Sequence, residues 1–354
     1  MNRPAPHLLR MLDAAANRAR EALRCLEDVA RFVLNDAQLA ADLKNIRHEL
    51  VADVRPLGLA DAVACRDTPG DVGTTLKTPD QRDRRNLIAM VNAAFGRSSE
   101  ALRSLEETAK LIHPGTAEKL EALRYRLYAA AKSVQMAIGQ HGRLGSPILC
   151  VLLTEALCRH GWLETLDAAL AGEADMIQLR EKQMAAAEIF RRGRIVVDRC
   201  RRLGRIAMIN DRADIAIACG AGVHVGQSDM PCSAVRQFAP EEMIVGVSTS
   251  CLSEAWQAVR DGASYIGIGP IFSSSTKPKD LLAGVSYAEA ISVAQIPIPA
   301  LAISGITLEN IGSLIPLGIS SIAVSSAALQ AEDPEAACRL LKSALRSNMD
   351  PPRR

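Results

Sequence analysis

The sequence predicts two domains: an all-α domain built from a duplicated helical hairpin, followed by an α/β domain with the (β/α)₈ TIM barrel fold. Three observations lead to this prediction. Apolar residues recur every three to four positions over residues 8–138, as in amphipathic helices. One motif of this region occurs twice. After residue 147, short apolar runs alternate with helical patterns, as parallel strands and their connecting helices do.

The repeated motif indicates that the helical domain, residues 1–140, contains two copies of one unit. RAREALRCLEDVAR at 18–31 matches RSSEALRSLEETAK at 97–110, at an offset of 79. LKNIRHEL at 43–50 matches LEALRYRL at 120–127, at an offset of 77. Each copy is then a helical hairpin, and its apolar face needs the other copy in order to be buried.

A polar segment separates the two copies. Residues 66–85, RDTPGDVGTTLKTPDQRDRR, are rich in Gly, Pro, Thr and Asp, which predicts a long loop. Loops of this length either bind a ligand or serve as solvated connections, and both interpretations stay open here. The candidates for an anion or metal site are Arg66, Asp67, Asp71, Thr74, Thr75 and Lys77.

The barrel domain, residues 148–345, follows a linker at 141–147 that its turn-forming residues predict. Helix candidates include 185–203, 253–261 and 307–317. A doubly wound sheet is the alternative arrangement of the same elements. The eight candidate strands are 148–153, 176–179, 206–209, 222–225, 243–247, 265–268, 300–303 and 321–324.

Composition and charge exclude several classes of function. With 42 Lys and Arg against 40 Asp and Glu, and 3% aromatic residues, the chain lacks the basic excess and the stacking rings of a nucleic-acid-binding protein. The nine cysteines form no C-x-x-C pair, which is typical of free thiols in a reducing compartment. No apolar run approaches the ~20 residues of a membrane span. We expect a cytoplasmic protein, and the sequence leaves its oligomeric state open, homo-oligomers included.

Polar residues follow most of the candidate strands. In a barrel these strand ends meet at one rim, where active sites lie. Arg180, Lys182 and Lys277 offer cations from separate strand ends, which suits a substrate that carries a diphosphate. Asp211 and Asp229 offer two oxygen ligands, a set typical of Mg²⁺ that also binds phosphate oxygens.

Two further strand ends predict a phosphate site. Gly305 precedes a helix candidate, and Ser325 and Ser326 follow the last strand. Backbone N–H groups and hydroxyls of such loops cradle phosphates, so a second phosphorylated substrate is expected. His224 lies within an apolar run, and we expect it to be a core or supporting residue rather than a catalyst.

The strand-end motifs resemble those of the thiamine-phosphate synthase family, the (β/α)₈ transferases of thiamine biosynthesis that join the pyrimidine and thiazole halves of thiamine. The resemblance covers residues 148 to about 345 and is carried by QLREK (178–182), INDRADIAIACGAGVHVGQSDMP (209–231) and YIGIGPIFSSSTKP (265–278). It implies that Mg²⁺ and cations draw the diphosphate away from a hydroxymethylpyrimidine diphosphate. The thiazole nitrogen of the second substrate then captures the pyrimidine cation.

The resemblance also implies roles for individual residues. Ser248 is placed close to the pyrimidine and the diphosphate, and Ser248 and Lys277 are the catalytic candidates. Asp211 and Asp229 are the implied Mg²⁺ ligands. The implied contacts of the pyrimidine diphosphate are Gln178, Arg180, Lys182, Asn210 and Lys277. The implied contacts of the thiazole phosphate are Ser274, Ser275, Thr276, Gly305, Ser325 and Ser326.

The chain departs from the family pattern at three positions. Ser304 stands where glycine is usual, Glu155 where aspartate is common, and Thr249 where a small residue is usual. Thiazole tautomerases resemble the synthases but need no metal, and they are the alternative for the barrel. The carboxylates of Asp211 and Asp229 favour the synthase, because an isomerase has no use for them.

The helical domain resembles a domain found fused ahead of such synthases. The EALR-x-LE repeats and the segment DVGT at 71–74 carry this resemblance. It implies a hydroxymethylpyrimidine-phosphate kinase, and a non-catalytic interaction or dimerisation module is the alternative. The chain has no G-x-x-x-x-G-K-[ST] loop, so the residues alone give no sign of nucleotide binding.

Overall fold

A computed structural model of the chain describes residues 4–67, 69–71, 86–140, 144–145, 148–273 and 283–346. The chain divides into a helical unit, Met1–Gly139, and an α/β unit, Gln140–Arg354. Of the predicted linker, 141–147, the structure describes Leu144 and Gly145. None of the helices in the described part of the chain combines the length and the apolar character of a membrane span.

The helical unit is all-helical, as the sequence predicts. Pro6 lies in the first turn of its first helix, where no intrahelical N–H is required. Asp36 and Asn86 begin two others, because their side-chain oxygens accept hydrogen bonds from backbone N–H groups at 3.0 and 2.9 Å. The long helices of the described residues are α1 (Pro6–Phe32), α2 (Ala37–Asp53), α3 (Leu87–Lys110) and α4 (Pro114–Gln140).

Small side chains allow α1 and α3 to pack closely. Ala19, Ala22 and Ser98 are buried on these two helices, and short side chains let two helix backbones approach each other. Leu23 and Leu102, which occupy equivalent positions of the two copies, are both fully buried. The two copies therefore bury the same face against each other.

Ion pairs repeat between the copies in the same way. Glu27 accepts a hydrogen bond from Nε of Arg47 at 2.9 Å, and Glu106 accepts one from Nε of Arg124, also at 2.9 Å. Both glutamates are buried, so each needs its arginine as a charge partner. A third pair joins the copies, because Arg126 on α4 contacts Glu49 on α2 at 2.5 Å.

The α/β unit is a closed barrel of eight parallel strands in the order of the chain. Pairing of β1 with β8 closes the sheet, which confirms the barrel and excludes the doubly wound alternative. The strands are β1 (Leu149–Leu153), β2 (Met176–Leu179), β3 (Ile206–Asn210), β4 (Gly222–Val225), β5 (Val245–Thr249), β6 (Tyr265–Ile268), β7 (Ala300–Ile303) and β8 (Ser321–Val324).

Helices follow most strands, but the predicted helix at 307–317 is wrong. The structure forms two 3₁₀ turns there, Ile311–Ser313 and Ile315–Leu317. Pro316 lies inside the second turn and Gly318 ends it with a φ of 78°, and proline disrupts a continuous α-helix. The helices are α5 (Trp162–Ala171), α6 (Ala186–Arg202), α7 (Ala213–Cys219), α8 (Cys232–Phe238), α9 (Leu252–Arg260), α10 (Gly284–Val293), α11 (Ser326–Leu329) and α12 (Pro334–Arg346).

Tyr265 fills the middle of the barrel. It packs with Met176, Met208 and Leu301 in the barrel core and is 1% exposed. Its ring lies beside Gly246 on the neighbouring strand, and a Cβ on that glycine would overlap the ring. The glycine therefore makes room for the largest side chain of the interior.

A partly buried ionic cluster lies at the other end of the strands, where β2 begins. The carboxylate of Asp175 contacts Nζ of Lys342 at 2.5 Å and a guanidinium nitrogen of Arg205 at 2.9 Å. It also accepts a hydrogen bond from the backbone N–H of Leu149 at 2.8 Å. Asp175 thus joins β1, β3 and α12 at the start of the barrel.

Candidate active site

A cavity of about 380 Å³ opens at the carboxyl ends of the strands. This is the rim at which the strand-end rule places an active site. The described residues of the sequence prediction all line it: Gln178, Arg180, Lys182, Asn210, Asp211, Asp229, Ser248, Gly305, Ser325 and Ser326. Ser274, Ser275, Thr276 and Lys277 lie outside the described residues.

The two aspartates lie together on one side of the cavity. Asp211 follows β3 with a φ of 62°, and the next N–H, that of Arg212, donates to the carbonyl of Asn210 at 2.7 Å. These are the features of a γ-turn, a strained conformation that is concentrated at functional sites. The N–H of Asp211 donates to the carbonyl of His224 at 2.8 Å, which holds the turn against β4.

The electrostatics of Asp211 reflect its neighbours. Burial raises its pKa, a hydrogen bond with Asp229 raises it further, and the cation of Lys182 opposes both effects. Nζ of Lys182 lies 3.5 Å from the Asp211 carboxylate. Asp229 is oriented by the N–H of Gly226, which donates to its carboxylate at 2.7 Å. Two carboxylates therefore line this side of the cavity, and Lys182 lies beside that of Asp211.

The donor set is consistent with a hard divalent cation. In the described part of the chain, no cluster of three or more His, Cys, Asp or Glu residues is arranged to hold a metal. A site built on Asp211 and Asp229 alone leaves most coordination positions to water or a ligand. Mg²⁺ is bound in this way, through one or two carboxylates and substrate phosphates.

A buried chain of hydrogen bonds lies at the base of the cavity. Nδ1 of His224 pairs with the hydroxyl of Tyr265 at 2.9 Å, and Nε2 pairs with the hydroxyl of Ser248 at 2.9 Å. The side chain of Gln178 lies near the Tyr265 hydroxyl and opposes the rise of its pKa that burial causes. Ser248, a predicted binding residue on β5, is therefore connected to Tyr265 on β6 through His224 on β4.

The protonation state of His224 sets the direction of this chain. Burial lowers the pKa of His224 to about 4, so the ring is neutral near pH 7. A neutral imidazole has one donor and one acceptor. If Tyr265 donates to Nδ1, then Nε2 donates to Ser248, whose own proton is free for a ligand in the cavity. The opposite tautomer makes Ser248 the donor to the histidine and leaves its oxygen as an acceptor.

The burial of His224 and its two hydrogen bonds agree with the expectation that it is a supporting residue. No role for Tyr265 was predicted from the sequence. Tyr265 begins an apolar strand, a position that reads as packing. Its contact with His224 depends on which residues lie opposite each other in the sheet. Gly246 pairs with Tyr265 across β5 and β6, and a sequence does not reveal such a register.

The opposite side of the cavity contains two residues with left-handed backbone. Ser304 has a φ of 82° and Gly305 a φ of 65°, which explains why glycine is usual at the first of these positions. The hydroxyl of Ser304 donates to the carbonyl of Phe272 at 3.0 Å. A Cβ on Gly305 would lie 2.4 Å from the carbonyl oxygen of Ser273. The loop after β6 thus runs directly over the end of β7.

The other departures from the family pattern also have partners. The hydroxyl of Thr249 donates to the carbonyl of Gly267 at 3.2 Å and accepts from Tyr287 at 2.8 Å. Glu155 forms an ion pair with Arg192 at 2.9 Å. Ser325 donates to the carbonyl of Leu152 at 3.4 Å. These side chains link neighbouring strand-end loops.

The predicted polar site between the helical copies is only partly described. The guanidinium of Arg66 forms two hydrogen bonds with Asp13, at 2.6 and 2.8 Å. Asp67 accepts a hydrogen bond from the N–H of Gly70 at 3.0 Å. Because the Arg66 guanidinium already pairs with the carboxylate of Asp13, it is poorly placed to bind an anionic ligand. Thr74, Thr75 and Lys77 lie outside the described residues.

Comparison with known proteins agrees with this geometry. Residues 149–328 match the family model of thiamine monophosphate synthase, and residues 10–133 match that of the ThiD2 family. The thiamine-phosphate synthase of Rhodopirellula baltica is 37% identical over 329 residues, which is 90% of this chain and 88% of the relative. That of Synechocystis is 35% identical over 348 residues, 96% of this chain and 97% of the relative.

A solved structure supports the same assignment for the barrel. The thiamine phosphate pyrophosphorylase of Pyrococcus furiosus superimposes with a TM-score of 0.52 at 30% identity, over 57% of this chain and 97% of its own. These relatives are synthases, which favours the synthase over the tautomerase alternative. The chain therefore belongs to the thiamine-phosphate synthase family of transferases, with a ThiD2 domain ahead of the barrel.

Proposed function

We propose that the barrel couples 4-amino-5-hydroxymethyl-2-methylpyrimidine diphosphate to thiazole phosphate, with Mg²⁺ at Asp211 and Asp229. The observation that carries this proposal is that Asp211 and Asp229 line the same cavity, where Nζ of Lys182 lies 3.5 Å from the Asp211 carboxylate. Two adjacent carboxylates repel each other when both are charged, and a divalent cation removes that repulsion. Mg²⁺ bound there would neutralise charge on the leaving diphosphate.

The cations of the chain act on the same leaving group. Arg180 and Lys182 line the cavity from the loop after β2. When the bond between the methylene carbon and the diphosphate oxygen breaks, its electron pair leaves with the diphosphate. Cations fixed at that position stabilise the developing charge. The thiazole nitrogen supplies the electron pair of the new C–N bond, so the reaction needs no nucleophile from the protein.

The remaining predicted residues would orient the two substrates. Gln178, Asn210 and Ser248 would contact the pyrimidine diphosphate. Gly305, Ser325 and Ser326 would hold the thiazole phosphate, supported by the left-handed backbone at the end of β7 and by the start of α11. Ser274, Ser275 and Thr276 would contact the thiazole phosphate, and Lys277 the diphosphate, as the family resemblance implies.

An exchange of one carboxylate tests the metal site. Asp211→Asn keeps the size of the side chain but removes one of the two carboxylate charges of the site, so we expect a loss of coupling of at least about 10²-fold and a higher Mg²⁺ requirement. Asp214→Asn is the matched control, because Asp214 lies three residues away, is mostly exposed and pairs with Arg212. Diphosphate release is measured against Mg²⁺ concentration. An Asp211→Asn enzyme with unchanged Mg²⁺ dependence would disprove the assignment.

For the helical unit we propose no part in the coupling step. It is either a hydroxymethylpyrimidine-phosphate kinase or a non-catalytic dimerisation module. The full chain, supplied with pyrimidine monophosphate, ATP, Mg²⁺ and thiazole phosphate, distinguishes the two. Formation of thiamine phosphate supports the kinase, whereas activity only with the preformed diphosphate supports the module.

We also propose that the protein works in the cytoplasm. All nine cysteines are free thiols, as is usual where disulfides are kept reduced. Cell fractionation tests the location, and recovery of the protein from an oxidising compartment would contradict it.

A further inference from the structure

One arginine of α6 is buried where the loops after β1 and β2 meet. Arg192 is 8% exposed, although it lies in a helix rich in surface arginines. Its guanidinium stacks over the ring of Trp162 on α5, 4.8 Å from the ring centroid. Its Nε donates to Glu188, one turn earlier on α6, at 2.7 Å. The guanidinium is therefore held in one orientation by two helices.

The free edge of this guanidinium faces the two loops. One terminal nitrogen lies 2.9 Å from the Glu155 carboxylate, and the other lies 4.0 Å from the Glu181 carboxylate. The second nitrogen is buried and has no hydrogen-bond partner. Glu181 in turn accepts a hydrogen bond from the N–H of Glu155 at 2.7 Å. One cation thus serves three carboxylates, and a buried arginine of this kind is costly unless it is paired.

Glu181 lies between the two cations of the diphosphate side of the cavity. Arg180 and Lys182 line the cavity, whereas the side chain of Glu181 is 10% exposed and is directed to Arg192. The backbone of Arg180 is held by β1, because its N–H donates to Leu153 at 2.8 Å and its carbonyl accepts from Thr154 at 2.9 Å. Because Glu181 stands between Arg180 and Lys182 in the sequence, its position constrains the backbone from which both cationic side chains extend.

We propose that Arg192 is a positioning residue for the pyrimidine diphosphate: by anchoring Glu155 and Glu181 it holds Arg180 and Lys182 at the diphosphate. This inference rests on the proposed function of those two cations. Without Arg192, the carboxylates of Glu155, Glu181 and Glu188 repel one another, and the loop after β2 moves away from the cavity. The thiazole phosphate site on β7 and β8 lies on other strands and is unaffected.

The test compares Arg192→Met with Arg191→Met in the full chain. Arg191 is the matched control, because it also binds Glu188, at 2.8 and 2.7 Å, but is mostly exposed. We expect Arg192→Met to raise the KM for pyrimidine diphosphate by about 10- to 100-fold and to leave the KM for thiazole phosphate unchanged. Arg191→Met changes neither, and Arg192→Lys restores part of the loss.

Two further variants make the outcome decisive. Glu155→Gln weakens the anchor without removing the buried cation, so it tests the same idea if Arg192→Met fails to fold, and we expect a smaller rise of the same KM. Arg180→Ala tests the proposed site itself. If Arg180→Ala leaves the KM for pyrimidine diphosphate unchanged, the proposed function of the site fails. If Arg180→Ala raises that KM but the Arg192 and Glu155 variants only lower the Tm, Arg192 is structural and the inference is overturned.

Discussion

The Tyr265→Phe substitution removes one hydroxyl. It should weaken the hydrogen bonds that orient Ser248 while the packing of the barrel is retained. The ring stays, so the core remains filled. The change leaves Nδ1 of His224, in a residue that is 8% exposed, without the partner that lies at 2.9 Å. An unsatisfied buried polar group costs about 1–3 kcal/mol. A cost of about 2 kcal/mol lowers the Tm of a domain of this size by about 4–8 °C.

The kinetic effect follows from the tautomer of His224. Without the tyrosine hydroxyl nothing selects which ring nitrogen carries the proton, so Ser248 no longer presents its hydroxyl in one direction. We expect turnover with preformed pyrimidine diphosphate to fall about tenfold, which corresponds to about 1.4 kcal/mol of transition-state stabilisation. The Tm is measured by circular dichroism, and kcat and KM by diphosphate release.

Tyr287→Phe is the matched control. The Tyr287 hydroxyl donates to Thr249 at 2.8 Å and does not contact His224, so its loss should lower the Tm while turnover is retained. Equal kinetic losses in the two variants, or full turnover in Tyr265→Phe, would refute the reasoning.

Four further outcomes are expected. Asp175→Ala should destabilise the barrel by about 3 kcal/mol without a change in either KM, as measured by denaturant unfolding and steady-state kinetics. Ser304→Ala should be less stable than Ser304→Gly by about 1 kcal/mol, because both lose the bond to Phe272 and only glycine relieves the positive φ; thermal unfolding compares them. Burial raises the pKa of the Cys150, Cys200 and Cys338 thiols, so in mildly alkaline buffer a thiol reagent should label the exposed Cys251 first, as mass spectrometry would show. A chain that starts at Gly145 should still couple the preformed diphosphate in a product assay, because the strands close a barrel without the helical unit.

The location of the site was predictable because it depends on topology alone. Parallel strands end on the same side of a barrel, so residues that follow them converge whatever the details of packing. Asp211 and Asp229 follow β3 and β4, and both line the cavity at the carboxyl ends of the strands. Arg180 and Lys182 follow β2 and line the cavity at this rim for the same reason.

Other parts of the site depend on how each helix is rotated about its axis and on the register between strands. Neither can be read from the sequence. Arg191 and Arg192 are adjacent in one basic helix, yet one is exposed and the other is buried against Trp162. The difference arises because α6 is rotated so that Arg192, and not Arg191, faces α5. The predicted helix at 307–317 failed for a local reason, since its apolar spacing suits a helix but Pro316 and the flanking glycines do not.

The pair formed by Glu49 and Arg126 shows what a duplicated unit gains when its two copies differ. The two residues occupy the same position of the two copies, 77 residues apart, and they contact each other. A residue that meets its own equivalent lies beside an axis of two-fold symmetry. In an assembly of two identical hairpins, glutamate would meet glutamate there, or arginine would meet arginine. Two halves that are joined in one chain are free to differ at this position, and here glutamate and arginine form an attractive contact that identical halves are unable to form.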